Sequence, residues 1–474
     1  MSNAQTVEHQ PQLRRVMGPG LLLLFVVGDI LGTGVYALTG DVAAEVGGAA
    51  WVPFLVAFLI ATITAFSYLE LVTKYPQAAG AALYAHKAFG VQFVTFLVAF
   101  VVMCSGITSA STASRFFAAN FATAFDLDWG NVGIVIVALL FMAMIAGVNL
   151  RGVGESVKLN VALTIIEITG LLLVIIVGLW AFTGGADVDF SRVVAFETAS
   201  DKNVFLAVTT ATSLAFFAMV GFEDSVNMAE ETKDPVKIFP KVLLTGLSIA
   251  GAVYVIVAIV AVALVPVGVL EASETPLVEV VKAGAPGLPI EDILPFISMF
   301  AVSNTALINM LMASRLIYGM ARQHVLPPML GAVHPKRFTP WVAIVFTTLI
   351  AFGLIFYVTA FANSDAISVL GGTTSLLLLA VFAMVNVAVL VLRRDVREGG
   401  GHFKTPTVLP VIGCATSLYL VTPLSGRPAQ QYVLALILVA IGILLFFVTM
   451  VINRRLGIRG AGITDPTHLG SAPD

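Results

Sequence analysis

Gly28-Asp29-Ile30-Leu31-Gly32-Thr33-Gly34-Val35-Tyr36 interrupts an apolar run over residues 16–46 and sets three glycines and an acid near its centre. A run of that length reads as a membrane helix, since about 20 apolar residues cross the hydrocarbon core. A second run, 203–230, carries a similar flaw at Phe216-Phe217-Ala218-Met219-Val220-Gly221-Phe222-Glu223-Asp224. Glycine alone is common in membrane helices because it lets neighbours approach. Glycine beside an acid at membrane depth points instead to an interrupted helix. The interruption frees backbone N–H and C=O groups, which persist in lipid only where protein or a ligand covers them. Freed N–H groups attract a carboxylate, and freed carbonyls attract an ammonium or another cation. The backbone of an amino acid offers both charges.

Outward from these flaws the chain stays apolar. Hydrophobic residues make up 58% of its 474 positions and charged residues 11%, and mean hydropathy is +0.98. Soluble chains carry about 25% charged residues, so the solvent here is lipid. Spans are predicted at 16–46, 51–74, 91–119, 132–150, 157–182, 203–230, 240–268, 290–320, 339–360, 364–393, 406–425 and 428–453. Twelve crossings put both termini on one side of the membrane. Twenty of the 25 Lys and Arg residues fall on that side, leaving Arg115, Arg192, Lys202, Lys282 and Arg427 on the other. Basic residues collect in cytoplasmic loops, which predicts a multi-pass cell-membrane protein with both termini cytoplasmic. Gly32 and Gly221 stand 189 residues and five helices apart, as in two inverted five-helix repeats that cross at one site.

The domain organisation that follows is a cytoplasmic tail at 1–15, a ten-helix inverted-repeat core at 16–394, two peripheral helices at 395–453 and a disordered cytoplasmic tail at 454–474. The outer loop 270–289 is long enough to carry a short helix over a vestibule. Cys104 and Cys414 fall inside apolar runs and read as small buried hydrophobes. All six histidines fall in predicted loops or tails, which excludes haem ligation by histidine. No filter or continuous polar stripe marks a channel, though a channel is the alternative of another class. Neither an enzyme's nucleophile and base nor a nucleic-acid surface is visible. The expected partners are the bilayer and a small molecule, with no cofactor.

Five stretches together carry a family resemblance: Gly28 to Tyr36; Phe216 to Glu223; Ala229-Glu230-Glu231-Thr232-Lys233-Asp234-Pro235; Lys74 to Tyr84; and Ser314-Arg315-Leu316-Ile317-Tyr318-Gly319-Met320-Ala321-Arg322. In this order, over Val16 to Arg394, the chain resembles the amino acid-polyamine-organocation transporters. That resemblance implies an all-α LeuT-like fold of 5 + 5 inverted repeats with helices 1 and 6 broken, alternating access, and proton coupling or exchange. It implies a substrate carboxylate at the backbone of Thr33 and Gly34, near Gly32, and an ammonium at the carbonyls of Ile30, Phe217 and Val220, beside Ala218 and Gly221. Phe217 matches the aromatic gate. A side chain at Gly32 or Gly34 would fill space the substrate needs. Pro76, Gly80 and Glu230-Glu231 read as helix ends and gating contacts, and Arg315 and Arg322 as anchors of a helix end.

The chain departs from that family in its acids. Asp29 stands where small or amide residues are usual, and Glu167 falls near the lysine of many proton-coupled members, which reverses the charge. Buried carboxyls that crowd one another are costly to ionise, so Glu167, with Asp29 as its expected neighbour, reads as a proton switch. Glu223 has a family acid as precedent. Ser303, with Asn304 and Thr305, could ligate sodium as the alternative coupling ion. An outer wall built from Met103, Cys104, Ile107 and Phe217 suggests a neutral amino acid. The acids pull toward a cationic amino acid or polyamine.

Overall fold

The computed structural model describes residues 17–77, 80–184, 188–198, 202–229, 231–361, 366–395 and 401–455, excluding the side chains of 153–158 and 361. Residues 1–16 and 456–474, and with them most of the expected tails, lie outside that range, as do Ala78, Ala79 and Glu230. Among the described residues every regular element is helical. In chain order they are α1 (Pro19–Ile30), α2 (Thr33–Val46), α3 (Trp51–Lys74), α4 (Gly80–Phe89), α5 (Gln92–Ala124), α6 (Gly130–Arg151), α7 (Val153–Thr183) and α8 (Val204–Ala215). There follow α9 (Pro235–Leu264), α10 (Val267–Ala272), α11 (Pro276–Gly284), α12 (Ile290–Arg322), α13 (Trp341–Phe361), α14 (Ala366–Leu392), α15 (Val408–Val421) and α16 (Ala429–Arg455). Among the described residues, eleven segments are long and apolar enough to cross a membrane.

Both sequence flaws are real interruptions. The first span stops at Ile30 and resumes at Thr33, with Gly32 as an N-cap that has no side-chain cap. The second stops at Ala215, tightens into a 3-10 turn over Phe216–Met219, extends at Val220 and resumes as a 3-10 turn over Asp224–Met228. Gly221 holds φ +121°, a conformation that side chains rarely adopt. The short helix expected in 270–289 is α11, with α10 just before it.

Two boundaries differ from expectation. The seventh span begins at Pro235, at the first-turn position where the missing N–H costs nothing, and carries Pro240 inside it. The eleventh predicted span is only a 14-residue helix, Val408–Val421. At about 1.5 Å per residue it reaches some 21 Å, short of the hydrocarbon thickness. Pro423 explains the stop: the residue before a proline is pushed out of the helical region, and Thr422 is extended at ψ 156°.

Three polar fasteners tie the layers together. Glu70 on α3 accepts from Arg393 Nε and Nη2, at 2.8 and 2.7 Å, and from the Thr405 N–H at 2.8 Å, fixing the approach to α15. Arg427, between α15 and α16, donates to the carbonyls of Leu420, Gly372 and Ser213, to Ser375 Oγ and to Gln431 Oε1. It thereby joins α8 and α14 to the peripheral pair. Met17, just before α1, pairs with the strand-like stretch after the second break, donating to the Glu231 carbonyl at 2.9 Å and accepting from the Lys233 N–H at 3.1 Å.

Glu70→Ala should therefore destabilise the purified protein by about 2–4 kcal/mol, because a guanidinium and a backbone N–H lose their shared acceptor. Lys237→Ala, which removes an ion pair whose side chains are 83% and 46% exposed, should leave the melting temperature unchanged. Equal melting curves for both variants would contradict the fastener.

Candidate functional site

The two breaks meet. A Cβ added to Gly34 would lie 2.3 Å from Ala218 Cα, and one added to Gly221 would lie 2.6 Å from the Asp29 carbonyl oxygen. Gly34 thus serves a contact other than the expected one: its missing side chain admits the backbone of the second broken helix. Gly32 does the same for α12, where an added Cβ would reach within 2.4 Å of Thr305 Oγ1.

Between the breaks lies a cavity of about 290 Å³, counted to its mouth, lined by Asp29, Ile30, Gly32, Thr33, Gly34, Ser109, Phe217, Val220, Gly221, Asp224, Thr305 and Asn309. The first N–H groups of α2 have no intrahelical partner and sit at this wall. Asp29 Oδ2, Thr33 Oγ1 and Thr305 Oγ1 are buried without a hydrogen-bond partner among the described residues. No basic side chain lines the cavity. The lining thus combines hydroxyls and uncapped N–H groups with two acids, Asp29 and Asp224.

The carbonyls expected to hold a cation are partly engaged. The Tyr254 hydroxyl donates to the Ile30 carbonyl, and Val220 N–H donates to the Phe217 carbonyl at 3.3 Å. Each oxygen keeps a second lone pair.

The cavity shares Val220, Asp224 and Asn309 with a larger cleft of about 1090 Å³, also counted to its mouth, which runs past Glu223, Glu231, Arg315 and the start of α4. That end carries the basic loops. Gly80, at φ +44°, brings α4 against Asn227 just past the second break. Arg315 and Glu231 face one another electrostatically, at the helix end where Arg315 was expected. Phe217 packs against Gly371 of α14, which also meets Leu38, and beyond it α10 rests on α2 at Gly40.

The acids are divided between two places. Asp29 lies in the electrostatic field of Asp224, Glu223 and Glu167, so the acids of the second break join Glu167 around it. Glu223 accepts from the Gly221 N–H at 2.9 Å. Glu167 is fully buried on α7 outside the cavity lining, and neither of its oxygens has a hydrogen-bond partner among the described residues. Ser303 donates to the Met299 carbonyl of its own helix at 2.6 Å, and Asn304 bonds Thr164 and Asn160 of α7. Of that trio only Thr305 lines the cavity.

On α5 the expected Met103, Cys104 and Ile107 are buried in packing, while Ser109 lines the cavity and Val102, Ser105 and Gly106 line the cleft. The helix is buried on nearly every side, so apolarity does not mark its cavity face. The small and polar residues at i, i+3, i+4 and i+7 do. Asn309, four residues from Thr305, carries the same spacing signal.

Gly34→Ala should lower stability by about 1–3 kcal/mol, the cost of overpacking a close helix contact. Gly20→Ala, which meets nothing within 4 Å, should be neutral or slightly stabilising. A Gly34→Ala melting temperature equal to wild type would show that the two breaks do not touch.

A family model described as amino acid permease matches residues 22–453. A methylthioribose transporter of Bacillus subtilis is 26% identical over 469 residues, covering 92% of this chain and 93% of that protein. The branched-chain amino acid permease of the same organism is 24% identical over 466 residues, with the same coverage of both chains. A cationic amino acid transporter of Arabidopsis thaliana is 29% identical over 344 residues, 68% of this chain and 58% of that one. With its two broken helices meeting at one buried cavity and a family match that spans all the described membrane segments but the first three residues of α1 and the last two of α16, the chain belongs to the amino acid permease family of transporters.

Proposed function

We propose that this protein carries an amino acid or related amine across the cell membrane by alternating access, coupled to protons. The reading rests chiefly on one observation: a single small cavity is lined both by the uncapped N-terminus of α2 and by Asp29, Ile30 and Val220 beside the breaks. A zwitterion has the complementary pair of charges. A channel needs a continuous polar path; the packing of Phe217 on Gly371 and of α10 on α2 supports a closed end away from the cleft. The collection of basic loops on the open end supports a cytoplasmic assignment for it and for both termini.

A neutral amino acid is the first candidate substrate. A cationic one is the second reading, and Asp224 favours it, because this acid joins Asp29 on the cavity wall with no basic side chain to offset either. The proton is the proposed coupling ion and Glu167 its carrier, since a fully buried carboxyl with no hydrogen-bond partner is a costly group to keep without a role. Ser303 as part of a sodium site has less support, its hydroxyl being committed to Met299.

Reconstitution tests the reading. Purified protein in proteoliposomes should show saturable uptake and counterflow of the amino acid that most raises its melting temperature in a screen of amino acids and polyamines. Ohmic current without saturation would favour a channel. Phe217→Ala should raise the apparent substrate constant by about tenfold and leak substrate, as expected when an aromatic wall is removed from a buried ligand, while Phe217→Tyr should transport nearly as wild type. Glu167→Gln should still bind and exchange substrate but lose accumulation driven by a pH gradient. Retained accumulation in Glu167→Gln, or wild-type accumulation that requires sodium and ignores pH, would refute the proton assignment.

A further inference from the structure

Arg427, in the turn between α15 and α16, is a buried cation whose hydrogen-bond acceptors are all neutral. Its Nε donates to the Leu420 carbonyl at 2.6 Å, Nη1 to the Gly372 carbonyl and to Gln431 Oε1 at 2.9 Å each, and Nη2 to the Ser213 carbonyl at 3.1 Å and Ser375 Oγ at 2.7 Å. Two of those carbonyls share a feature. Ser213 lies in the last turn of α8 and Leu420 in the last turn of α15, where carbonyls run out of intrahelical partners and the helix dipole is negative. One guanidinium thus closes two helix C-termini, whose dipoles stand where a counter-carboxylate would. Ser375 Oγ donates to the same Ser213 carbonyl. The turn is seated on α8 close by: Thr210 Oγ1 donates to the Ser425 carbonyl at 3.0 Å, and a Cβ on Gly426, at φ +84°, would lie 2.1 Å from that hydroxyl.

We propose that Arg427 is a positioning residue for Phe217, so that the turn between the two peripheral helices sets the aromatic wall of the cavity. The inference rests on the reading of Phe217 as that wall and adds what holds it. The 3-10 turn Phe216–Met219 follows directly on α8, so the carbonyl that Arg427 and Ser375 grip lies one turn before Phe217. On the other side, Gly372 gives its carbonyl to the same guanidinium and follows Gly371, where an added Cβ would lie 3.3 Å from the Phe217 ring and from Leu38. Gly372 itself has no room for a side chain, since a Cβ there would lie 2.0 Å from the Gln431 amide. The planar fork of the guanidinium therefore fixes α8 and α14 relative to one another immediately behind Phe217. Without it, α14 loses its tie to the turn at Gly372, and the end of α8 is left with the Ser375 hydroxyl.

A fastener alone would add stability and leave the wall where it is. The Glu70–Arg393 pair supplies the comparison, because it ties α3 to the end of α14 and to Thr405 at the basic-loop end. Both arginines hold layers together. Arg427 differs in gripping the last turn of a broken helix and the residue beside the one on which Phe217 packs.

Fluorine resonance of the ligand-free protein in lipid, with a single 4-trifluoromethylphenylalanine at position 217, tests this without a substrate. The line should move or split in Arg427→Gln, move in the same direction in Ser375→Ala, and return toward wild type in Arg427→Lys, which keeps the charge at the two helix ends. Glu70→Ala, destabilising in its own right, should leave it in place. A line unmoved in Arg427→Gln and Ser375→Ala, or moved equally by Glu70→Ala, would reduce Arg427 to a fastener and overturn the inference. Should Arg427→Gln not fold, Ser375→Ala decides, because it leaves the guanidinium its other four acceptors. As a second measurement, Arg427→Gln should weaken binding of L-leucine or L-arginine, whichever raises the melting temperature, by about threefold or more, and add nothing further in the Phe217→Ala background. Additive losses would overturn the inference. Binding of neither amino acid would count against the substrate reading, and the fluorine line would still decide the positioning.

Discussion

A peptide group without a hydrogen-bond partner is expensive in hydrocarbon, and this chain opens its helices at two membrane-depth points. Most of its other features answer that cost. The breaks are pressed together so that Gly34 lies on Ala218 and Gly221 on the Asp29 backbone, which leaves a small shared cavity in place of two lipid-exposed gaps. Around them α3, α5, α9, α12 and α14 supply cover. Tyr254 and Glu223 take up a carbonyl and an N–H that the breaks release.

Charge inside the membrane is organised in two shells. Near the cavity, Asp29, Asp224 and Glu223 gather around the meeting point of the breaks, facing donors on α2 and hydroxyls on α12. Behind the first break, Glu167 is buried on α7 outside the cavity lining, with the Tyr36 hydroxyl on its backbone carbonyl.

The breaks were legible because glycine and acid together violate helix logic in lipid, and eleven of the twelve predicted spans because apolar runs are long and basic residues alternate sharply between loops. The end of α15 was harder to read. Apolar residues continue past Val421, and only the extended backbone that Pro423 imposes on Thr422 ends the helix early. Cavity-lining residues on the broken helices were readable for the same reason as the breaks. Those on the unbroken helices were not: Ser109 and Asn309 sit on helices buried all round, where hydrophobicity has no direction, and the assignment to Met103, Cys104 and Ile107 followed apolarity into the packing core. The partnership of Tyr254 with Ile30 joins residues 224 positions apart, and nothing in local sequence signals it.

The backbone bridge at Met17 has a mechanical meaning. Through it the leading end of α1 and the stretch that follows the second break are stitched at the basic-loop end, while Gly34 on α2 and Ala218 hold the other halves of the two broken helices together at mid-depth. The two joints lie on opposite sides of the breaks, so each pair of halves moves together, and a load applied to the chain just ahead of Met17 would be felt by both broken helices at once.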